Sequence, residues 1–135
     1  MTHNEIIKFI EEAVQRRIQL KIKLNQLTTQ NDFIDGILSK NQGLLSLASK
    51  KLKELVSADV IDMEEYLRLK ASCEPVMAVI DANMFRKQQN ISQIQETERE
   101  LKVLDSQKRK LEGMLNEASK VYQLFQENRK DRKND

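Results

Sequence analysis

A seven-residue recurrence of apolar side chains constrains this chain more than any other feature. Starting at Ile6, steps alternating four and three land on Ile10, Ala13, Arg17, Leu20, Leu24, Leu27, Asn31, Ile34, Leu38, Asn41, Leu45, Ala48, Leu52 and Leu55. Twelve of these fifteen positions are apolar and the phase never slips. A mean spacing of about 3.5 residues keeps one stripe of an α-helix turned toward a partner helix, whereas a strand repeats every two residues. The chain is therefore expected to be all-α.

Composition agrees with that expectation. Three Gly, one Pro, no Trp and 4% aromatic residues in 135 leave little for turns or a thick globular core. A charged fraction of 33% suits long helices that bury a narrow stripe. Disorder is the competing reading of so many charges, but Leu, Ile and Val recur throughout. The length fits one domain.

The chain also carries start and stop signals. Thr2 with Glu5 three residues later fits a capping box. The first helical arm is expected over 1–56, either as one helix or as two with a break near 28–35, where Thr28, Thr29, Gln30, Asn31 and Asp32 are poor helix formers. A turn is expected over 57–62, with Asp62 and Glu65 forming a box-like pair at the next start. A second arm then spans 63–127. Its repeat is read through Met63, Tyr66, Lys70, Cys73, Met77, Ile80, Met84, Lys87, Ile91, Ile94, Glu98 and Leu101, continuing as Leu104, Lys108, Leu111, Leu115, Ala118, Tyr122 and Phe125. Two successive steps of three, Glu98 to Leu101 to Leu104, make a stammer. Pro75 should kink or break this arm, because it lacks an N–H and crowds the preceding turn. The polar stretch 128–135 reads as a disordered tail.

Two apolar stripes joined by a short turn predict a long antiparallel helical hairpin, or a three-helix coiled-coil bundle, that self-associates. With the turn centred near Ser57–Ala58, the numbers of facing residues total about 115, so that Arg17 meets Glu98. That register exhausts the first arm near Lys108. It leaves Leu111, Leu115, Ala118, Tyr122 and Phe125 without an intrachain partner, a candidate partner or oligomer interface. Replacing Leu111 and Leu115 with Asp should then dissociate the assembly and spare most helicity. Ile7, Val14, Ile18, Ile22, Phe33, Ile37, Leu44 and Leu47 widen the first apolar face beyond a strict two-in-seven pattern. Arg17, Asn31, Asn41, Lys70, Lys87 and Glu98 are the polar seam positions, where such residues select register and partner at some cost in stability.

Catalytic equipment is not evident. His3 stands alone in the first turn, and one His with a distant Cys73 makes no metal site, catalytic triad or Cys/His pair. A glycine-rich phosphate loop is also lacking, so no enzyme, cofactor or small-molecule substrate is expected. Met63, Met77 and Met84 read as core filling on the second stripe. A single Cys and no apparent signal peptide suggest a cytoplasmic setting, and the apolar runs fall far short of the roughly 20 residues that span a bilayer. The opening amphipathic stretch Ile6–Leu24 has acidic first turns that argue against a membrane-surface role, and Asn90-Ile91-Ser92 reads as a chance sequon.

Three basic clusters are candidate phosphate contacts: Arg16 with Lys21 and Lys23, Lys50-Lys51 with Lys53, and Lys108-Arg109-Lys110. Against them stand a net charge of only +2 and a lack of nearby aromatic residues for base stacking. The leading expectation is a non-enzymatic protein–protein interaction module: an assembly factor, adaptor, scaffold or inhibitor. An oligomeric nucleic-acid-associated protein is the alternative. In outline the pattern resembles small assembly factors, chaperones, viral accessory proteins and packaging subunits built as helical hairpins, and no motif selects among them.

Overall fold

The computed structural model describes the backbone of residues 1–134 and the side chains of residues 1–128. Two helices, α1 (His3–Ser57, 55 residues) and α2 (Met63–Asn134, 72 residues), pack against each other as a hairpin. Each start is capped as its sequence requires. The Thr2 N–H donates to Glu5 Oε2 (3.0 Å) while the Glu5 N–H donates to Thr2 Oγ1 (3.2 Å), the reciprocal capping box. At α2, Asp62 Oδ1 accepts from the Glu65 N–H (3.1 Å), and Glu65 turns outward to hold Arg68 instead of reaching back.

Neither weak point breaks its helix. Through 28–35, α1 is continuous. Thr29 Oγ1 donates to the Asn25 carbonyl (2.8 Å) and Asn41 Nδ2 to the Ile37 carbonyl (2.8 Å), so these side chains bond along the helix rather than compete with it. Buried Leu27, Asn31 and Ile34 hold the segment down. Pro75 lies inside α2 on its exposed side, while Cys73 and Val76 beside it are half-buried. Proline removes one intrahelical bond, and Ser72 Oγ and Cys73 Sγ both donate to the Leu69 carbonyl in the preceding turn. The tail expected over 128–135 falls on the last stretch of α2, which is helical backbone to Asn134; its side chains beyond residue 128, and residue 135, lie outside the described residues.

Contacts divide the chain into two compact units. One joins Asn25 through Gln95 and includes the turn. Its core is Ile34, Leu38 and Ile80, flanked by Leu45 and Val76. The register is read from a polar layer: Asn90 Nδ2 donates to Asn31 Oδ1 (3.0 Å) and toward Gln30 Oε1 (3.4 Å), so facing positions total 121. Lys87 Nζ reaches Asp35 (2.6 Å) in the same layer group. The other unit joins Met1–Leu24 to the part of α2 from Glu96 onward. Here Ile6, Ala13, Leu20, Thr97 and Leu101 are buried, and Arg16 and Arg17 pair with Glu100 (2.8 Å) and Asp105 (3.1 Å).

The α1 stripe is as the recurrence predicts: every one of its fifteen positions is buried or half-buried except Arg17. The α2 stripe differs. Burial follows Tyr66, Leu69, Cys73, Val76, Ile80, Asn83, Lys87, Asn90, Ile94, Thr97, Leu101, Leu104, Lys108, Leu111 and Leu115, in steps of three and four without a stammer. Lys70, Met77, Met84 and Glu98 are exposed, as is Met63, so the methionines fill no core. The cause is a choice of neighbours. Favouring apolar side chains selects Met77 and Met84, yet the ladder uses Val76 and Asn83 because a helix presents its whole stripe in one phase, and Asn83 Nδ2 donates within α2 to the Val79 carbonyl (2.8 Å).

The facing total also differs, 121 instead of about 115. In a hairpin this total is twice the residue number at the fold-back point. The residues between the two helices are 58–62, so the chain reverses near residue 60, beyond the Ser57–Ala58 centre expected. Arg17 accordingly meets Asp105 and not Glu98, which is exposed.

Candidate interaction surface

The revised register decides which part of α2 lacks an intrachain cover. With facing positions totalling 121 instead of about 115, the cover over α2 lies about six residues further along than the sequence reading placed it, and Met1 stands level with residue 120. Leu111 and Leu115 are half-buried opposite Ile10 and Ile6. Asp at either half-buried position would disturb the cover it already has, so neither is a clean probe of an outer surface. Ala118, Tyr122 and Phe125 are exposed, Tyr122 and Phe125 at 63% and 62%.

Three apolar residues that the sequence reading passed over complete the surface. Met114, Val121 and Leu124 are all more than half exposed. Spacings of four, three and four carry Met114, Ala118, Val121 and Phe125 along one helix face. Together with Tyr122 and the rim residue Glu117 they line a shallow open groove. Gln126 Nε2 donates to Tyr122 Oη (2.8 Å) one turn on, which satisfies the phenol and leaves the ring faces available. The spacing of seven between Met114 and Val121 is the signal that could have found them.

The remaining predicted residues are dispersed. Asn31 is buried and bonded to Asn90, which sequence reasoning missed as a seam residue; Asn41 is half-buried and bonds only within α1. Lys87 is half-buried beside Asp35, and Lys70 and Glu98 face solvent. Of the basic clusters, Arg16 is engaged by Glu100 and Lys108 lies 3.6 Å from Glu112. Lys21, Lys23, Lys50, Lys51, Lys53, Arg109 and Lys110 are exposed on helix surfaces. Glu65 accepts a close hydrogen bond from Arg68 (2.7 Å), and this bond, with the attraction of the same carboxylate, raises the guanidinium above its ordinary value; it stays charged.

His3 is exposed and Cys73 is a half-buried free thiol. Among the described residues, no group of three or more His, Cys, Asp and Glu side chains could hold a metal ion. No described helix is long and apolar enough to cross a membrane. No protein-family model matches the chain, and no curated protein or solved structure is found to be similar to it.

Proposed function

We propose that the protein is a non-enzymatic coiled-coil interaction module, an adaptor, scaffold, inhibitor or assembly factor, that binds through the apolar stripe of α2 between Met114 and Phe125. The observation that carries this reading is the contiguous exposure of Met114, Val121, Tyr122, Leu124 and Phe125 on a helix whose preceding turns are covered by α1. Burying one such side chain is worth roughly 1.5–3 kcal/mol, so a stripe of five is a strong incentive to associate. The groove it lines is shallow and holds one carboxylate, Glu117, which suits a helix face better than a small molecule. A reducing, cytoplasmic setting accords with the single free thiol.

The nucleic-acid alternative draws less support. Arg16 and Arg17 point into ion pairs with Glu100 and Asp105, and Lys108 sits by Glu112, so two of the three basic clusters have acidic company. Salt separates the readings. Proteins captured on the immobilised full chain should remain bound as salt rises from ~50 to ~200 mM, and the variant Val121→Asp/Phe125→Asp should lose them. Capture unchanged by that variant, or tight oligonucleotide binding that collapses over the same salt range, would refute the proposal.

A further inference from the structure

We infer that the occupant of this stripe is a second copy of the same chain, its own 114–125 segment laid antiparallel against the first. The inference rests on the reading of the stripe as a docking face and adds who docks there.

Continuity with the hairpin's own interface is the first ground. Leu111 and Leu115 are half-buried under the opening turns of α1, and the next steps of three and four reach Ala118, Tyr122 and Phe125, all exposed. The same ladder thus runs on past Leu115, the last of its positions that is half-buried. Helix α2 continues as backbone to Asn134, fourteen residues beyond the level of Met1.

The stripe also suits a self-contact in particular. A two-fold antiparallel pairing brings residues near the axis against their own equivalents, so any charge there would meet a like charge. Met114, Ala118, Val121, Tyr122 and Phe125 carry none, and Glu117, the one charge of the lining, stands level with Tyr122 of the other copy and not with its own equivalent. Sizes match under reversal too. Ala118 is the one small member, a single turn from Tyr122, so turning the segment end for end sets the gap at Ala118 of one copy beside an aromatic ring of the other. Area is the last ground. Five large side chains more than half exposed amount to on the order of 500 Å² per copy, so their full burial would bring a pair to about 1,000 Å², the lower limit for a specific interface. A contact of that size predicts a reversible dimer.

Sedimentation equilibrium of the full chain between ~1 and ~200 μM tests this. The expected result is a monomer–dimer equilibrium with a dissociation constant on the order of micromolar. Val121→Asp/Phe125→Asp should weaken it at least ~100-fold with unchanged circular dichroism, since both side chains are exposed, whereas Lys120→Asp on the opposite side of the helix should not. Orientation is read in a Cys73→Ser background: mixing Met114→Cys and Phe125→Cys chains should give mixed crosslinks, and neither alone should crosslink. A wild-type chain monomeric throughout overturns the self-contact. If the double Asp variant still abolishes capture of other proteins in that case, the docking face itself stands. Crosslinks of each Cys variant to itself would overturn the antiparallel arrangement.

Discussion

Replacing Leu20 with Ala is expected to lower the free energy of unfolding by about 3 kcal/mol, within the roughly 2–5 kcal/mol of buried Leu truncations. Leu20 is 1% exposed, among the most enclosed side chains described, and Leu101 stands opposite. The loss combines the transfer free energy of three carbons with the cavity they leave, because the two helix backbones cannot close over it. Ile18, two residues away and half exposed, supplies the comparison: Ile18→Ala should cost well under half as much. Urea unfolding followed at 222 nm measures both. Equal costs at the two sites would show that the stripe through Leu20 is not what holds the helices together.

The second large effect is expected at the buried amide pair. Asn90→Leu removes the donor that Asn31 Oδ1 accepts and should destabilise by about 1–3 kcal/mol, the cost of leaving a buried polar group unmet. Asn31→Leu should do likewise. The double variant should recover most of the loss or exceed the original stability, since two facing Leu pack where two amides were bonded. Its penalty should fall on specificity: with no polar layer to mispair, slides by one heptad become less unfavourable. A double-mutant cycle in urea should give a coupling of at least ~1 kcal/mol. Additive single effects would mean that the Asn31–Asn90 bond does not act as a unit.

These two sites also show what the sequence made legible. The α1 stripe could be read completely because twelve of its fifteen positions are apolar, and Leu20 stood among them from the start. Asn31 was identified as a polar member of that stripe, but its partner Asn90 was not. On α2 the true ladder passes through Asn83, Asn90 and Thr97; Asn83 and Asn90 stand beside the more apolar Met84 and Ile91, and Thr97 stands between Glu96 and Glu98. Local hydrophobicity then points to the wrong face, and only the strict alternation of steps from Leu69 to Leu115 corrects it. Thr97 is 2% exposed, so polarity was no guide to burial there.

Register was the less accessible quantity. A heptad pattern fixes which face is buried and not which turn meets which, since slides by seven keep every phase. The deciding facts are that α1 holds its helix to Ser57 and that Asp62 caps α2, which moves the reversal to residue 60. From that small shift follow the pairing of Arg17 with Asp105 and the cover over Leu111 and Leu115. Of the stripe expected to lack cover, Ala118, Tyr122 and Phe125 are exposed and Leu111 and Leu115 are half-buried, while Met114, Val121 and Leu124 are exposed apolar residues that the sequence reading passed over.

The central claim is the antiparallel packing with facing residues totalling 121, and the chain's single thiol offers a direct test. Ala48 and Cys73 are both half-buried and stand opposite each other in that register. Under mild oxidation Ala48→Cys should close an intrachain disulfide with Cys73, since such bonds form only when Cα atoms lie within roughly 4.4–6.8 Å. The product should migrate faster on a non-reducing gel, form equally well on dilution, and revert with thiol. Asn41→Cys, the partner Cys73 would meet one heptad earlier, should stay reduced. Ready closure in the Asn41→Cys chain and none in the Ala48→Cys chain would contradict the register and, with it, the account of which part of α2 lies uncovered.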